Sequence, residues 1–338
     1  MTATSGLCKK PLWQLKKPMD PIVNLDSLEK IPPTVDDLAL FKANDPSGAC
    51  RFNAPIPFGD APELKFIIQD FLPSGVLGMV VATGGSGKTM LLTQMAYAVA
   101  SGRDFLGMKT GEPKTVLYVY AEETNSEIHR RLDRIREWNL EESECINLHR
   151  LCGYGLDLRF KLEESDNFSE QLEKYICRFR PSLVILDPAA QFNCAENEND
   201  SVQSNTFIRL LRKLTEYGST IIIAHHTSKF GSNQSDQHSS RGSSALTDGA
   251  RWVLNLTGYD SQKNWKNDLG EVDGDDIWQY KKAEITKVNN FMPLAKTIHL
   301  KNAGSGVLDT GPDEEFKLTE AGRNGQNRNN DGVQRRPV

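Results

Sequence analysis

With 338 residues, a quarter of them charged, the chain is long enough for one α/β domain of about 200–250 residues plus appendages. A formal net charge of -5 and a pI near 5.8 exclude a globally basic surface, so any contact with nucleic acid has to be local, in a pore or groove. Six cysteines without a CxxC pair argue against a zinc site and for reduced thiols in a cytoplasmic protein. No apolar run is long enough to span a membrane, and Lys9 and Lys10 are followed by no apolar leader segment.

Residues 1–60 are rich in Pro, Lys and Asp and weakly patterned, with a break at Pro32-Pro33 and one short helical stretch, Val35 to Lys42. They read as an arm, either partly disordered or in contact with a neighbouring subunit. Phe66, Ile67, Phe71 and Leu72 then approach the core, either as packing or beside a nucleotide base. Residues 76–93, VLGMVVATGGSGKTMLLT, are the densest stretch of information in the chain. Val76 to Val81 predicts a buried strand, and Leu91, Leu92, Met95, Ala96 and Val99 predict a helix by their spacing. Between them Ala82 to Thr89 has the spacing of a P-loop, with Ala in place of the usual first Gly. Gly84, Gly85, Ser86, Gly87, Lys88, Thr89 and Met90 are the candidate nucleotide-binding residues. The glycines let backbone amides wrap a phosphate, Lys88 reaches the β- and γ-phosphates, and the Thr89 hydroxyl can ligate Mg²⁺.

Val116 to Tyr120 predicts a second buried strand, closed by Ala121-Glu122-Glu123, and Ser126 to Trp138 an amphipathic helix with Ile128, Leu132 and Ile135 on one face. An acid just beyond a strand's carboxyl end is placed for active-site work; Glu122 is therefore a candidate general base, or else a carboxylate that complements the helix dipole. A strand and loop over 145–160 lead to a helix, Phe168 to Phe179. Leu183 to Asp187, four apolar residues closed by an acid, predicts a Walker B strand with Asp187 supporting the metal's water shell. After a polar loop, Gln191 to Ser204, and a helix, Val202 to Tyr217, comes a buried strand, Ser219 to Ala224, which runs into His225-His226-Thr227-Ser228-Lys229. His225 is the preferred candidate for sensing the γ-phosphate. Phe230 to Ser240 has the composition of a loop, either one able to touch a nucleic-acid backbone or a plain disordered one. Further strands are expected at Ala250 to Leu256, within Ile277 to Val288 and at Ala295 to Leu300, and no structure from Gly311 on. The domain boundaries expected are 1–60, 61–310 and 311–338.

Strands alternating with helices, a P-loop on the first long strand and extra strands after Walker B predict an α/β, RecA-like P-loop NTPase core with a mostly parallel central sheet flanked by helices. The pieces GGSGKT, YAEE, VILDP, IAHHTSK, SRGSSALTDGARW and ITKVNN, in this order across about residues 65–300, resemble the RepA-type hexameric replicative helicases of mobilisable plasmids, AAA-type ATPases of the RecA/DnaB-like P-loop superfamily. The resemblance implies Glu122 as catalytic glutamate, Asp187 as Walker B acid and His225 as sensor. It further implies Arg241 as an arginine finger reaching into a neighbour's site, and Lys287 as a second group pointing across that interface. It implies ATP and Mg²⁺, a homo-hexamer, single-stranded DNA as the track, and a replication initiator or primase as a further partner. Two other functions stay open at this point: a RecA/RadA-like recombination ATPase and a nucleotide-gated regulatory ATPase.

Overall fold

The computed structural model describes residues 63–139, 145–160, 167–193, 201–227, 244–259, 265–267, 270–272, 274–289, 297–311 and 317–318. The N-terminal arm, the 230–240 loop and Arg241 lie outside them. Among the described residues no helix is long and apolar enough to cross a membrane.

The lead-in segment is packing, not a base pocket. Two short strands, β1 (Phe66–Ile68) and β2 (Leu72–Pro73), pair with each other, and Phe71 lies edge-on to Trp252 with ring centroids 5.4 Å apart. The Gly75 amide donates to Thr220 Oγ1, at the amino end of a central strand, so the segment closes the amino edge of the sheet, away from the P-loop.

The architecture is a RecA-like α/β core. Six strands are parallel: β3 (Leu77–Thr83), β4 (Val116–Tyr120), β5 (Leu148–Cys152), β6 (Leu183–Asp187), β7 (Thr220–Thr227) and β8 (Trp252–Gly258). Two small strands, β9 (Trp265–Asn267) and β10 (Gly270–Val272), pair outside this sheet. On the β8 side β11 (Tyr280–Val288), β12 (Thr297–Asn302) and β13 (Leu308–Thr310) add an antiparallel extension. The order across the described sheet of nine strands is β13-β12-β11-β8-β3-β7-β6-β4-β5. Full burial of VLYVY and LVILD explains why those strands read as continuous apolar runs rather than alternating ones.

Alternate residues of each strand feed two cores. Val80, Tyr118, Ile185 and Ile222 pack under α1 (Lys88–Ser101) and α2 (Asn125–Trp138). Met79, Val119, Leu186 and Ile223 pack under α3 (Phe168–Phe179) and α4 (Ser201–Thr215). The predicted face of α2 is the buried one, Ile128, Leu132 and Ile135. That helix opens on a capping box: Thr124 accepts from the Glu127 amide, and the Glu127 carboxylate accepts from the Thr124 amide at 2.7 Å.

Several elements escaped the sequence reading, among them β1, β2 and β13, which lies beyond β12 at the edge of the sheet, and four more. Those four are α5 (Ser244–Gly249), the pair β9 and β10, and α6 (Gly274–Ile277). The expectation of a structureless tail from 311 does not extend to β14 (Lys317–Leu318), which pairs with Trp265 and Lys266 of β9. Strand β7 is longer than its apolar run. The ladder with β3 continues through Val81↔His225, Ala82↔His226 and Thr83↔Thr227, so both histidines lie inside β7 rather than after it.

Candidate active site

The site is built at the carboxyl edge of the parallel strands, where β3 leaves its sheet for α1. Gly85 and Gly87 both adopt positive φ, 76° and 95°. A Cβ built at Gly84 or Gly85 would meet no atom within 4 Å, so the loop faces open space on the side where phosphates would lie. Gly87 caps α1 without any side-chain hydrogen bond, and the first turn of the helix holds no acid. The helix start therefore keeps its amide donors and its positive end available for an anion.

Lys88 is 4% exposed, and its Nζ donates to Asp187 Oδ1 at 2.8 Å. The second oxygen of that carboxylate, Oδ2, accepts from the Tyr118 hydroxyl at 3.2 Å. The register Tyr120↔Asp187 brings the ends of β4 and β6 level, which sets Glu122 just beyond the Walker B acid. Glu122 is exposed, and His226 Nε2 lies 3.7 Å from its Oε2. The helix-dipole alternative for Glu122 has no vacancy to fill, since Thr124 and Glu127 already cap α2. Glu123 forms a two-pronged pair with Arg131, with Nε at 2.8 Å from Oε2 and Nη2 on Oε1, and the Arg131 charge is felt at Asp187.

His225 is 7% exposed and its Nε2 is buried with no hydrogen-bond partner. Burial, with His226 and the Lys88 ammonium adding to it, pushes its pKa down to about 4, so the ring is neutral near pH 7. Ser86 in the P-loop likewise has a buried hydroxyl without a partner. Orphaned buried polar atoms such as these await a ligand or water. Met90 is 2% exposed and packs into the core, so its side chain is turned away from the loop, and only its amide can serve a ligand.

Lys287 sits apart from these groups. It pairs with Val253 of β8, and Val253 pairs with Met79 of β3. Met79 is four residues before Thr83, the last residue of β3, so Lys287 lies about 13 Å down the strands from the point where the chain leaves the sheet for α1. Its Nζ donates to the carbonyls of Thr247 at 3.1 Å and Asp248 at 2.9 Å, and Arg212 donates to that of Gly249 at 2.7 Å. The two cations thus cap the carboxyl end of α5. Arg251, which the sequence reading passed over, is exposed beside them and acts with Arg212 to depress the Lys287 ammonium, although burial is the larger cause.

His226 is the other residue the sequence reading undervalued. Alternation along β7 was the available signal: His225 shares a face with Ile221 and Ile223 toward α4, so His226 shares the face that carries Asp187. The cradle fits a nucleoside triphosphate with its divalent cation: open loop amides, a lysine, a half-buried threonine hydroxyl at Thr89 and two carboxylates on one edge.

The sequence profile of the AAA domain matches residues 56–232, a little over half of the chain and the whole stretch from the lead-in segment to β7. This chain belongs to the AAA domain family of nucleotide-hydrolysing P-loop ATPases.

Proposed function

We propose that the protein is a RepA-type, Mg²⁺-dependent ATPase that works as a homo-hexameric ring in the cytoplasm. It translocates on single-stranded DNA and unwinds duplex in the replication of a plasmid, phage or integrated element. A replication initiator or primase is its proposed further partner, and residues 61–310 are its proposed motor domain. ATP binds through residues 84–90. A Mg²⁺ ion held through Thr89 and Asp187 would neutralise charge on the β- and γ-phosphates. Lys88 leaves Asp187 for the phosphates, Glu122 orients and deprotonates the attacking water, and the two histidines report whether a γ-phosphate is present. His226 acts on Glu122 directly, and His225 acts from beneath the P-loop.

The observation that carries the ring reading is the separation of the cations. Among the described residues Lys88 is the cation that bonds the Walker B carboxylate directly, at 2.8 Å, and the nearby Arg131 guanidinium is already held by Glu123. Lys287 and Arg251 stand toward the opposite end of the same strands. Phosphoryl transfer gains from a second cation on the transferring group. A cation at the far end of the sheet can act on a phosphate only in another subunit's site. Arg241 is the finger by resemblance, and Lys287 and Arg251 are cations of the described residues at this far end. The resemblance spans both flanks of this edge, which favours the ring over a free regulatory module.

Mixing tests this reading. Lys88→Ala protein has a dead cradle and intact fingers; Arg241→Ala protein has an intact cradle and a missing finger. If the finger acts in trans, titrating the first into the second restores hydrolysis in a bell-shaped dependence on the mixing ratio. Strict inactivity at every ratio, with both variants oligomeric, contradicts it. So does full activity of Arg241→Ala alone.

A further inference from the structure

The geometry points to Tyr118 as a positioning residue for the divalent-cation site, the group that fixes the Asp187 carboxylate while Lys88 changes partners. This rests on the nucleotide-site reading above.

Among the described residues each oxygen of the Asp187 carboxylate has one hydrogen-bond partner. Oδ1 takes the Lys88 ammonium at 2.8 Å, and Oδ2 takes the Tyr118 hydroxyl at 3.2 Å. Once Lys88 moves to the phosphates, Oδ1 is free for the cation's hydration shell and the carboxylate loses one of its two anchors. A short side chain with two free torsions then has to keep its plane, or the cation's water shell has no fixed acceptor. The remaining anchor is rigid. Tyr118 is fully buried in the centre of β4, and its ring lies edge-on to that of Tyr120 with centroids 5.5 Å apart. Behind the phenol oxygen lies the hydroxyl of Thr93, a residue at 0% exposure. Thr93 Oγ1 bonds the Thr89 carbonyl at 2.7 Å, so the same small network touches the backbone of the second proposed cation ligand. A phenol carries its proton at neutral pH, so the Tyr118 hydroxyl is a donor to the Asp187 oxygen it faces. A fully buried hydroxyl that spends its proton on the Walker B carboxylate does more than fill space: an inert core position here would be served by Phe.

The test compares Tyr118→Phe with Tyr120→Phe. The first substitution keeps the ring and its edge contact and removes only the hydroxyl. Tyr120 is one pleat further along the same strand, and its phenol bonds Asn125 Oδ1 instead of Asp187. Mn²⁺ affinity is read by electron paramagnetic resonance in the presence of a non-hydrolysable ATP analogue. Binding of a fluorescent ADP in EDTA gives cation-free affinity, and Mg²⁺ titration of ATP hydrolysis gives the half-saturation point. Tyr118→Phe is expected to weaken Mn²⁺ binding about tenfold, the scale of a lost hydrogen bond to a charged group. It is expected to raise the Mg²⁺ half-saturation point by a similar factor and to leave cation-free ADP binding unchanged. Tyr120→Phe is expected to leave Mn²⁺ affinity where it was. The assignment is overturned if Tyr118→Phe binds Mn²⁺ as tightly as the parent, or if Tyr120→Phe weakens it as much, since the effect would then be a general one of the core. If the parent protein itself binds no nucleotide, the nucleotide-site reading fails, and Tyr118's role with it.

Discussion

The ammonium of Lys88 and the carboxylate of Asp187 meet at 2.8 Å with 4% and 5% of their side chains exposed, so the two charges the phosphate site needs most neutralise each other when no phosphate is bound. Removing one partner of a buried pair leaves the other uncompensated, at a cost of about 3–5 kcal/mol. Lys88→Ala is therefore expected to lose ATP turnover and also to unfold at distinctly lower urea. Lys88→Ala together with Asp187→Ala, which leaves no orphaned charge, is expected to recover much of the stability and none of the activity. Urea melts of the three proteins check this; equal midpoints for parent and Lys88→Ala would show that the pair is energetically idle.

Glu122→Gln retains the shape of the side chain and removes its basicity. Turnover is expected to fall by about 10²–10⁴, the range of a lost general base, with nucleotide affinity within about twofold of the parent. His226→Ala, which takes away the group 3.7 Å from Glu122, is expected to cost less and to act on kcat rather than on binding. Single-turnover hydrolysis beside equilibrium binding separates the two effects.

His225 makes folding sensitive to acid. Its folded pKa of about 4 lies below the ordinary 6.5, so the unfolded chain takes up a proton between those values while the folded chain does not. Stability is then complete above about pH 6.5, falls as the pH drops toward 4, and loses nothing further from this group below that, for a total of about 3 kcal/mol at most. His225→Asn is expected to flatten unfolding free energy between pH 6.5 and 4.5 relative to the parent. A parallel decline in both proteins would put the acid sensitivity elsewhere.

Gln94 ties the last part of the sheet to the P-loop helix. Its amide donates to the Leu308 carbonyl at 2.7 Å and accepts from the Leu308 amide at 2.9 Å, while a Cβ on Gly87 would lie 3.6 Å from the Leu308 side chain. Gln94→Ala is expected to cost about 1–2 kcal/mol of stability and to raise amide exchange in β13 selectively. Uniform exchange across the sheet would contradict a local tie.

The core was legible because its signals are local: buried parallel strands are continuous apolar runs, and GGSGKT between a strand and a helix has few other uses. Asp187 could be placed because an acid closing four apolar residues must stand at a strand's carboxyl end. What stayed hidden is relational. Nothing in VLYVY says that Tyr118 will face the Walker B carboxylate, since that depends on β4 lying beside β6 and on their register. His226 was passed over because β7 was ended just before the histidines, and only the ladder to β3 carries it further. Lys287 was assigned by motif, and nothing in the motif says that its ammonium will bond the carbonyls of Thr247 and Asp248 at the end of α5.

The most direct measurement is steady-state ATP hydrolysis with and without single-stranded DNA, on protein whose oligomeric mass has been fixed by light scattering. A DNA-driven ring predicts a hexamer whose turnover rises at least several-fold on adding the strand and is lost in Lys88→Ala. A monomer or dimer, or a hexamer whose turnover DNA leaves unchanged, would contradict the motor and leave an ATPase whose hydrolysis serves regulation.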